Sequence, residues 1–111
     1  MTAPQHRDTR SAVVIKLLKN HPTRIPVLVH RHSPRDPDID QHRFLASHDM
    51  SIAGFSHTIR QRIHVNAQTA IFIFVNGTIF PQHLHLSDLY HIHQASDGFL
   101  YINYALEAVY G

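Results

Sequence analysis

The chain lacks cysteine and tryptophan entirely, and only two of its 111 residues are lysines. Without cysteine it has no disulfide, no thiolate nucleophile and no cysteine-based zinc site. No apolar run approaches the roughly 20 residues needed to span a bilayer, and residues 1–8 contain no hydrophobic segment typical of a signal peptide. This composition fits a protein of the reducing cytoplasm.

Catalytic motifs are also missing. The sequence has no Gly-x-Ser-x-Gly turn and no glycine-rich phosphate loop, and the adjacent His48 and Asp49 have no evident nucleophile to activate. We therefore expect that the protein is not an enzyme. One basic group consists of four arginines, Arg24, Arg43, Arg60 and Arg62. The aromatic residues near them follow core patterns, so we expect no nucleic-acid partner.

Histidine, by contrast, is abundant. The twelve histidines include three H-x-H pairs, His30/His32, His83/His85 and His91/His93. Residues two apart on a strand share a face, but no carboxylate or cysteine is spaced to complete a metal site. We therefore favour solvated surface histidines, with no metal or cofactor, over a weak metal binder. A further hypothesis is that many histidines become charged together below about pH 6, which tightens contacts with acidic partners or anionic membranes.

The first half of the chain shows alternating helical and strand periodicity. Residues 1–10 are polar and aperiodic and predict a frayed arm, after which Ser11 caps a helix over residues 12–20. Strands are predicted over residues 25–32 and 43–47. Asp49 or Ser51 then caps a second helix, whose apolar stripe consists of Ile52, Phe55, Ile59 and Ile63.

The second half continues this alternation. An apolar run at residues 70–75 predicts a strand, and Asn76-Gly77 predicts a hairpin with a short return strand over residues 78–80. A short helix is expected over residues 87–94. The turn signal Asp97-Gly98 precedes a last strand that starts at Phe99.

The predicted order, α-β-β-α-β-β-α-β, is typical of an α+β fold in which a sheet wraps one long helix. If the first and last strands pair, the helical crossover between them makes the pair parallel. This is the ubiquitin-like β-grasp arrangement with an added N-terminal helix. We predict a single domain over residues 11–111, preceded by the flexible arm at 1–10.

Six segments occur in an order that resembles a known family. They are PTRIPVLV at 22–29, FL at 44–45, IRQRI at 59–63, FIFVNG at 72–77, FLYINY at 99–104 and VYG at 109–111. Together they resemble the autophagy ubiquitin-like modifiers, the GABARAP and microtubule-associated light-chain proteins. The likeness covers roughly residues 12–111, and it rests on the combination because no single segment would suffice.

The resemblance implies a conjugation site at Gly111. In that family, activating and conjugating enzymes form a thioester with the terminal glycine and join it to phosphatidylethanolamine. The modifier thereby moves from the cytoplasm to the autophagosome membrane. Glycine suits this role because, without a Cβ, it can pass through a narrow channel and present its carboxylate to a thiol. The modifier itself supplies no catalytic group.

The resemblance also implies two pockets for receptor peptides of the form aromatic-x-x-aliphatic, which add a strand to the sheet edge. The residues carried over to the aromatic pocket are Leu17, Pro26, Arg43, Leu45 and Phe99. Those carried over to the aliphatic pocket are Phe44, Met50 and Phe55, with Val29 and Thr58 as further positions. Arg24 and Arg62 match basic positions that serve acidic flanks or structural pairs.

Periodicity alone would place Leu17, Pro26, Leu45 and Phe99 in the core. The resemblance instead predicts a partly exposed cleft between the first helix and the sheet edge. The chain also departs from the family, because Val13, Val14 and Leu18 occupy mostly charged positions, while Ala46, Ser47 and Thr58 give the aliphatic pocket smaller and more polar walls. The alternative function is an unconjugated peptide-binding adaptor for trafficking or cytoskeletal partners.

Overall fold

The structure, a computed structural model, describes residues 6–106, with side chains from residue 9 onward. Its elements are α1 (His6–Asn20), β1 (Arg24–Arg31), β2 (Arg43–Ser47), α2 (Ile52–Ile63), β3 (Ile71–Val75), α3 (Leu86–His93) and β4 (Leu100–Leu106). None of the helices in this range has the length and apolar character of a membrane span. Gly111 lies outside the described residues.

The four strands form one mixed sheet in the order β2-β1-β4-β3. The outer pairs, β1 with β2 and β3 with β4, are antiparallel, whereas the central pair of β1 and β4 is parallel. The predicted α+β class, with a parallel central pair, is therefore confirmed. Because β2 ends the sheet order, its outward edge has no strand partner among residues 6–106.

Helix α2 covers the inner face of the sheet. Ser51, one of the two predicted cap residues, caps it, since the Ser51 hydroxyl accepts a hydrogen bond from the Gly54 amide at 3.1 Å. The alternative cap, Asp49, is wrong. All four residues of its predicted apolar stripe are buried. They pack with alternate residues of the strands, among them Ile25, Val27, Val29, Phe44, Ile73, Val75, Leu100, Ile102 and Tyr104.

Helix α1 lies on the opposite, outer face, where it approaches the start of β4. Gly98 there has φ +89°, and a Cβ added to it would lie 2.7 Å from Val14 Cγ1. A side chain at this position would therefore be strained and would also push α1 away from the sheet. Val14 is buried, while its neighbours Val13 and Leu17 are only half-buried.

The prediction that the first helix begins after Ser11 is wrong, because α1 already includes residues from His6 onward. A long-range contact is made by a residue of this added segment. Arg10 Nη1 donates a hydrogen bond to the Tyr101 hydroxyl at 2.7 Å, and its guanidinium lies 5.8 Å from the centre of that ring. The aperiodic sequence carries no local sign of a contact between residues 91 positions apart.

The return strand predicted over residues 78–80 is also wrong. Asn76 and Gly77 make the expected turn, with φ of 55° and 77°, but the pairing stops at a single bridge between Val75 and Thr78. Ile79 is 53% exposed. Pro81 follows and has no N–H to extend a ladder, so the described sheet has four strands rather than five.

Candidate functional site

The register between β1 and β2 aligns two cross-strand pairs at the outer face. Pro26 lies opposite Leu45, and Leu28 lies opposite Arg43. Because side chains alternate along a strand, these four point away from the core side that Val27 faces. Pro26 is buried, Leu28 and Leu45 are half-buried, and Arg43 is exposed. The two pairs therefore form a surface that is covered at Pro26 and opens toward Arg43, next to the outward edge of β2.

Helix α1 forms the second wall of a cleft above this surface. A cavity of about 460 Å³ is lined by Arg10, Val13, Leu28, Gln41, His42, Arg43 and Phe99. A second cavity of about 320 Å³ is lined by Val13, Lys16, Leu17, Asn20 and Arg43. Val13 and Arg43 belong to both, so we treat the two cavities as one feature, the α1 cleft. Its position is the one predicted, between the first helix and the sheet edge.

Three residues assigned to the aromatic pocket line the α1 cleft. Leu17 comes from α1, Arg43 from β2 and Phe99 from the end of the turn before β4. Phe99 is only 1% exposed, so its ring closes the bottom of the cleft. Pro26 and Leu45 face each other on the adjoining strands but line neither cavity.

Four of the five residues assigned to the aliphatic pocket lie around the seam between β2 and α2, and the fifth, Val29, belongs to β1. Phe44 and Phe55 pack edge to face, with ring centres 5.5 Å apart, and both belong to the buried core. Val29 is fully buried beside them. Met50 and Thr58 are half-buried, and the Thr58 hydroxyl donates to the Gly54 carbonyl at 3.4 Å. None of these five residues lines the α1 cleft.

The two arginines carried over as basic positions lie apart from each other. Arg62 forms an ion pair with Asp40, with 3.7 Å between Nη1 and Oδ1, and both side chains are exposed. Arg24 is exposed at the start of β1, where it lines a separate cavity of about 240 Å³ with His48 and His91. Arg62 therefore has a structural partner, whereas Arg24 borders a basic depression.

Comparisons with known proteins agree with this fold. The family model described as "Autophagy protein Atg8 ubiquitin like" matches residues 9–111. The chain belongs to the Atg8 family. It is 38% identical to Autophagy-related protein 8 of Kluyveromyces lactis over 105 residues, which cover 94% of this chain and 85% of that protein. It is 36% identical to Autophagy-related protein 8d of Arabidopsis thaliana, with 94% and 88% covered.

Two solved structures extend this result. The crystal structure of Trypanosoma brucei ATG8 superposes with a TM-score of 0.89 at 28% identity, covering 96% of this chain and 93% of that one. Plasmodium falciparum Atg8, solved in complex with a Plasmodium falciparum Atg3 peptide, gives a TM-score of 0.81 at 27% identity, covering 91% and 90%. The predicted membership of the autophagy ubiquitin-like modifiers is confirmed.

The sequence interpretation missed several residues that line the α1 cleft of this Atg8-family protein. Leu28 is two residues after Pro26 on β1 and so shares its face, a signal that strand periodicity already contained. Arg10 and Val13 were missed for a different reason. Arg10 fell within the predicted arm, and the role of Val13 depends on how α1 lies across the sheet.

A short hydrogen-bond relay holds Arg10 at the cleft. The Tyr101 hydroxyl accepts from Arg10 and donates to Asp97 Oδ2 at 2.5 Å. The other oxygen of the buried Asp97 carboxylate accepts from the Phe99 amide at 2.9 Å. Burial, followed by the neighbouring Asp97, raises the pKa of the Tyr101 phenol. The phenol therefore stays protonated and links α1 to the start of β4.

The α1 cleft combines an apolar interior with a cationic rim. Val13, Leu28 and Phe99 supply the apolar part, while Arg10 and Arg43 supply fixed positive charge. Among the side chains that the structure describes, residues 9–106, no carboxylate lines either cavity. Such a site suits an apolar or aromatic side chain that is flanked by acidic groups.

The H-x-H pairs do not converge on a metal site. Within the part of the chain that the structure describes, no three histidine, aspartate or glutamate residues lie close enough to hold an ion. His32 stacks on Phe74, with ring centres 5.0 Å apart, and His93 lies 5.1 Å from Phe80. These imidazoles contact aromatic rings instead of each other.

Proposed function

We propose that this protein is a conjugated Atg8 modifier that recruits receptor peptides of the aromatic-x-x-aliphatic type. The observation that carries the proposal is the α1 cleft beside the outward edge of β2. An extended peptide can add to that edge through main-chain hydrogen bonds while its aromatic residue enters the cleft. The seam around Met50 and Thr58 is the proposed place for the aliphatic residue.

The proposed conjugation site is Gly111. Support comes from the family match, which extends through residue 111. In the proposed reaction, an enzyme thiol holds the Gly111 carbonyl as a thioester. The amine of phosphatidylethanolamine attacks that carbonyl, an amide forms, and the thiol leaves with the proton. The activating and conjugating enzymes supply this chemistry, so the modifier itself has no catalytic role.

The proposed partners are therefore ubiquitin-like activating and conjugating enzymes, receptor peptides and a membrane that contains phosphatidylethanolamine. The Plasmodium relative was solved with an Atg3 peptide, which supports a peptide-binding surface on this fold. We propose that the protein is cytoplasmic before conjugation and lies on the autophagosome membrane afterwards.

The conjugation step is tested in starved cells of the native organism with wild-type protein and the Gly111→Ala variant. We expect a faster-migrating, membrane-pelleting form and cytosolic puncta with wild type only. Glu107→Gln serves as a matched tail control, because it changes the tail and keeps the glycine.

A wild-type protein that forms neither the shifted band nor puncta would contradict conjugation. If that protein still bound receptor peptides, the unconjugated adaptor would be the correct function. A shifted band in the Gly111→Ala variant would show that the attachment point lies elsewhere.

A further inference from the structure

Two histidines lie together at the border of the α1 cleft. The rings of His30 and His42 stack with their centres 5.0 Å apart and their planes 23° from parallel. His42 lines the same cavity as Arg10, Arg43 and Phe99. His30 follows Leu28 by two positions on β1, so both side chains are on the outer face of the sheet.

The orientation of the His42 ring follows from its hydrogen bond. Its Nδ1 lies 2.8 Å from the carbonyl oxygen of Val29. A carbonyl oxygen only accepts, so Nδ1 carries the hydrogen in this contact. The Val29 amide also donates to the His42 carbonyl at 2.8 Å. These two bonds hold the ring in place beside His30.

The surroundings of His30 oppose its protonation in the free protein. Burial is the largest cause of a pKa below the ordinary histidine value, followed by the positive charges of His42 and Arg10. Asp38 acts in the opposite direction but more weakly. Among the described side chains, these are the titratable and charged groups that act on His30, from α1, the loop before β2 and the residue that precedes that strand.

We propose that His30 and His42 form a proton-coupled subsite for a carboxylate of the bound peptide. The inference rests on the proposed peptide-binding function and adds a specificity that neither Arg10 nor Arg43 can supply. The arginines attract an acidic residue at every pH, whereas the imidazole pair attracts it only when protonated.

The position of the pair defines where the acidic residue lies in the peptide. His42 precedes β2 and belongs to the cleft that receives the aromatic residue, while Met50 and Phe55 follow β2 at the proposed aliphatic end. The carboxylate therefore comes from the residues immediately before the aromatic position. Peptides with acidic residues only after the aliphatic position do not reach this subsite.

The sign of the coupling follows from the same charges. A carboxylate beside the rings offsets the repulsion from Arg10, so it raises the pKa of His30 in the complex. The complex then binds more protons than the free protein does. Affinity must rise as the pH falls through the ordinary histidine range and level off once His30 is protonated without the ligand.

The test is calorimetric titration of the full-length protein with two peptides, Glu-Glu-Trp-Ala-Ala-Leu and its Gln-Gln-Trp-Ala-Ala-Leu counterpart. We expect the acidic peptide to bind roughly three- to tenfold more tightly at pH 5.5 than at pH 7.5, since one pKa unit of coupling is a factor of ten. Titrations at pH 6.5 in two buffers of different ionisation enthalpy should reveal proton uptake. The glutamine peptide should show neither effect.

The double variant His30→Gln/His42→Gln should lose the proton uptake, so its affinity for the acidic peptide should be the same at pH 5.5 and at pH 7.5. Glutamine at residue 42 retains a donor for the Val29 carbonyl, and His30→Gln alone is the second variant if the double variant misfolds. His57→Gln/His91→Gln removes two exposed histidines that do not line the α1 cleft, and it should behave as wild type.

Two results would overturn the subsite. One is binding of the acidic peptide without proton uptake, and the other is equal uptake by wild type and the His30→Gln/His42→Gln variant. Both leave the peptide-binding function standing. Absence of binding by either peptide at both pH values would instead overturn the function together with the subsite.

Discussion

The two faces of the sheet are built from alternate residues of the same strands, yet they differ in how completely they are covered. On the inner face, Val27, Val29 and Ile59 have no exposed surface. On the outer face, Val14 is the one α1 residue that is fully buried among the described side chains. The sheet is therefore covered completely by α2 on its inner face and only partly by α1 on its outer face.

This difference shows how one small domain provides both stability and a binding site. The inner face supplies the apolar burial that stabilises the fold. On the outer face, α1 is held by a close approach at Gly98 and by the Arg10–Tyr101–Asp97 relay. Because these contacts lie toward the β4 side, the space between α1 and β2 stays open as the α1 cleft.

The largest difference between the two faces is expected when one apolar side chain on each face is truncated to alanine. Ile59→Ala removes a fully buried side chain of α2 and should lower the free energy of unfolding by about 2–5 kcal/mol. Val13→Ala removes a half-buried side chain of α1 and should cost less than about 1 kcal/mol. Urea denaturation measures both. Equal losses would mean that α1 belongs to the same packed core as α2.

The close approach at Gly98 is tested by a pair of glycine substitutions. Gly98→Ala and Gly77→Ala both place a Cβ at positive φ, which costs about 1 kcal/mol. Only the Cβ at residue 98 meets Val14, whereas nothing lies within 4 Å at residue 77. We expect Gly98→Ala to lose at least about 1 kcal/mol more in the free energy of unfolding. Amide exchange should also show faster opening of α1 in that variant alone.

Alkaline pH should lower the free energy of unfolding because Tyr104, a buried residue of the inner face, loses its proton. Its hydroxyl donates to the Pro37 carbonyl, and burial, followed by Asp38 and Asp36, raises its pKa from 10 to about 12. The protonated phenol therefore contributes stability that is present below pH 10 and lost as the pH rises toward 12. The loss should be on the order of 2 kcal/mol.

Tyr104→Phe isolates this contribution. The variant should be about 1 kcal/mol less stable than wild type near pH 8, because the Pro37 carbonyl loses its donor. Its stability should then fall less steeply between pH 10 and pH 12. Parallel alkaline profiles for the two proteins would exclude Tyr104 as the titrating group.

The smallest effect is expected at the exposed ion pair of Arg62 and Asp40, which belongs to neither face. Their side chains are 44% and 66% exposed, and the closest atoms are 3.7 Å apart. A double-mutant cycle with Arg62→Gln and Asp40→Asn should give a coupling below about 0.5 kcal/mol that disappears in 1 M salt. A larger, salt-resistant coupling would give Arg62 a structural role.

The inner face could be predicted from the sequence because its buried residues recur at the short, regular intervals of helices and strands. The apolar stripe of α2, the Ser51 cap and the bounds of β2 all follow from residues a few positions apart. The Asn76-Gly77 turn was predictable for the same reason. The return strand failed because a turn signal says nothing about how long the pairing continues.

The outer face depends on contacts between residues that are far apart in the chain, and local sequence patterns do not predict such contacts. Arg10, in the added first part of α1, contacts Tyr101, and the requirement for glycine at residue 98 depends on Val14. The family resemblance supplied Leu17, Arg43 and Phe99 as candidate lining residues, although periodicity alone assigned Leu17 and Phe99 to the core. Leu28 was recoverable from strand alternation, whereas the stacked His30 and His42 required the folded chain.

The most direct test of the account is titration of the Glu-Glu-Trp-Ala-Ala-Leu peptide into wild type, into Arg43→Ala/Leu45→Ala and into a control. The control, Lys19→Ala/Ile92→Ala, removes one exposed cation and one exposed aliphatic side chain away from the α1 cleft. We predict that the cleft variant keeps the wild-type unfolding curve and loses binding by at least about tenfold, in line with truncation of central contact residues. The control should bind as wild type does. Retained affinity in a folded Arg43→Ala/Leu45→Ala variant would contradict the central claim that this cleft is the peptide site.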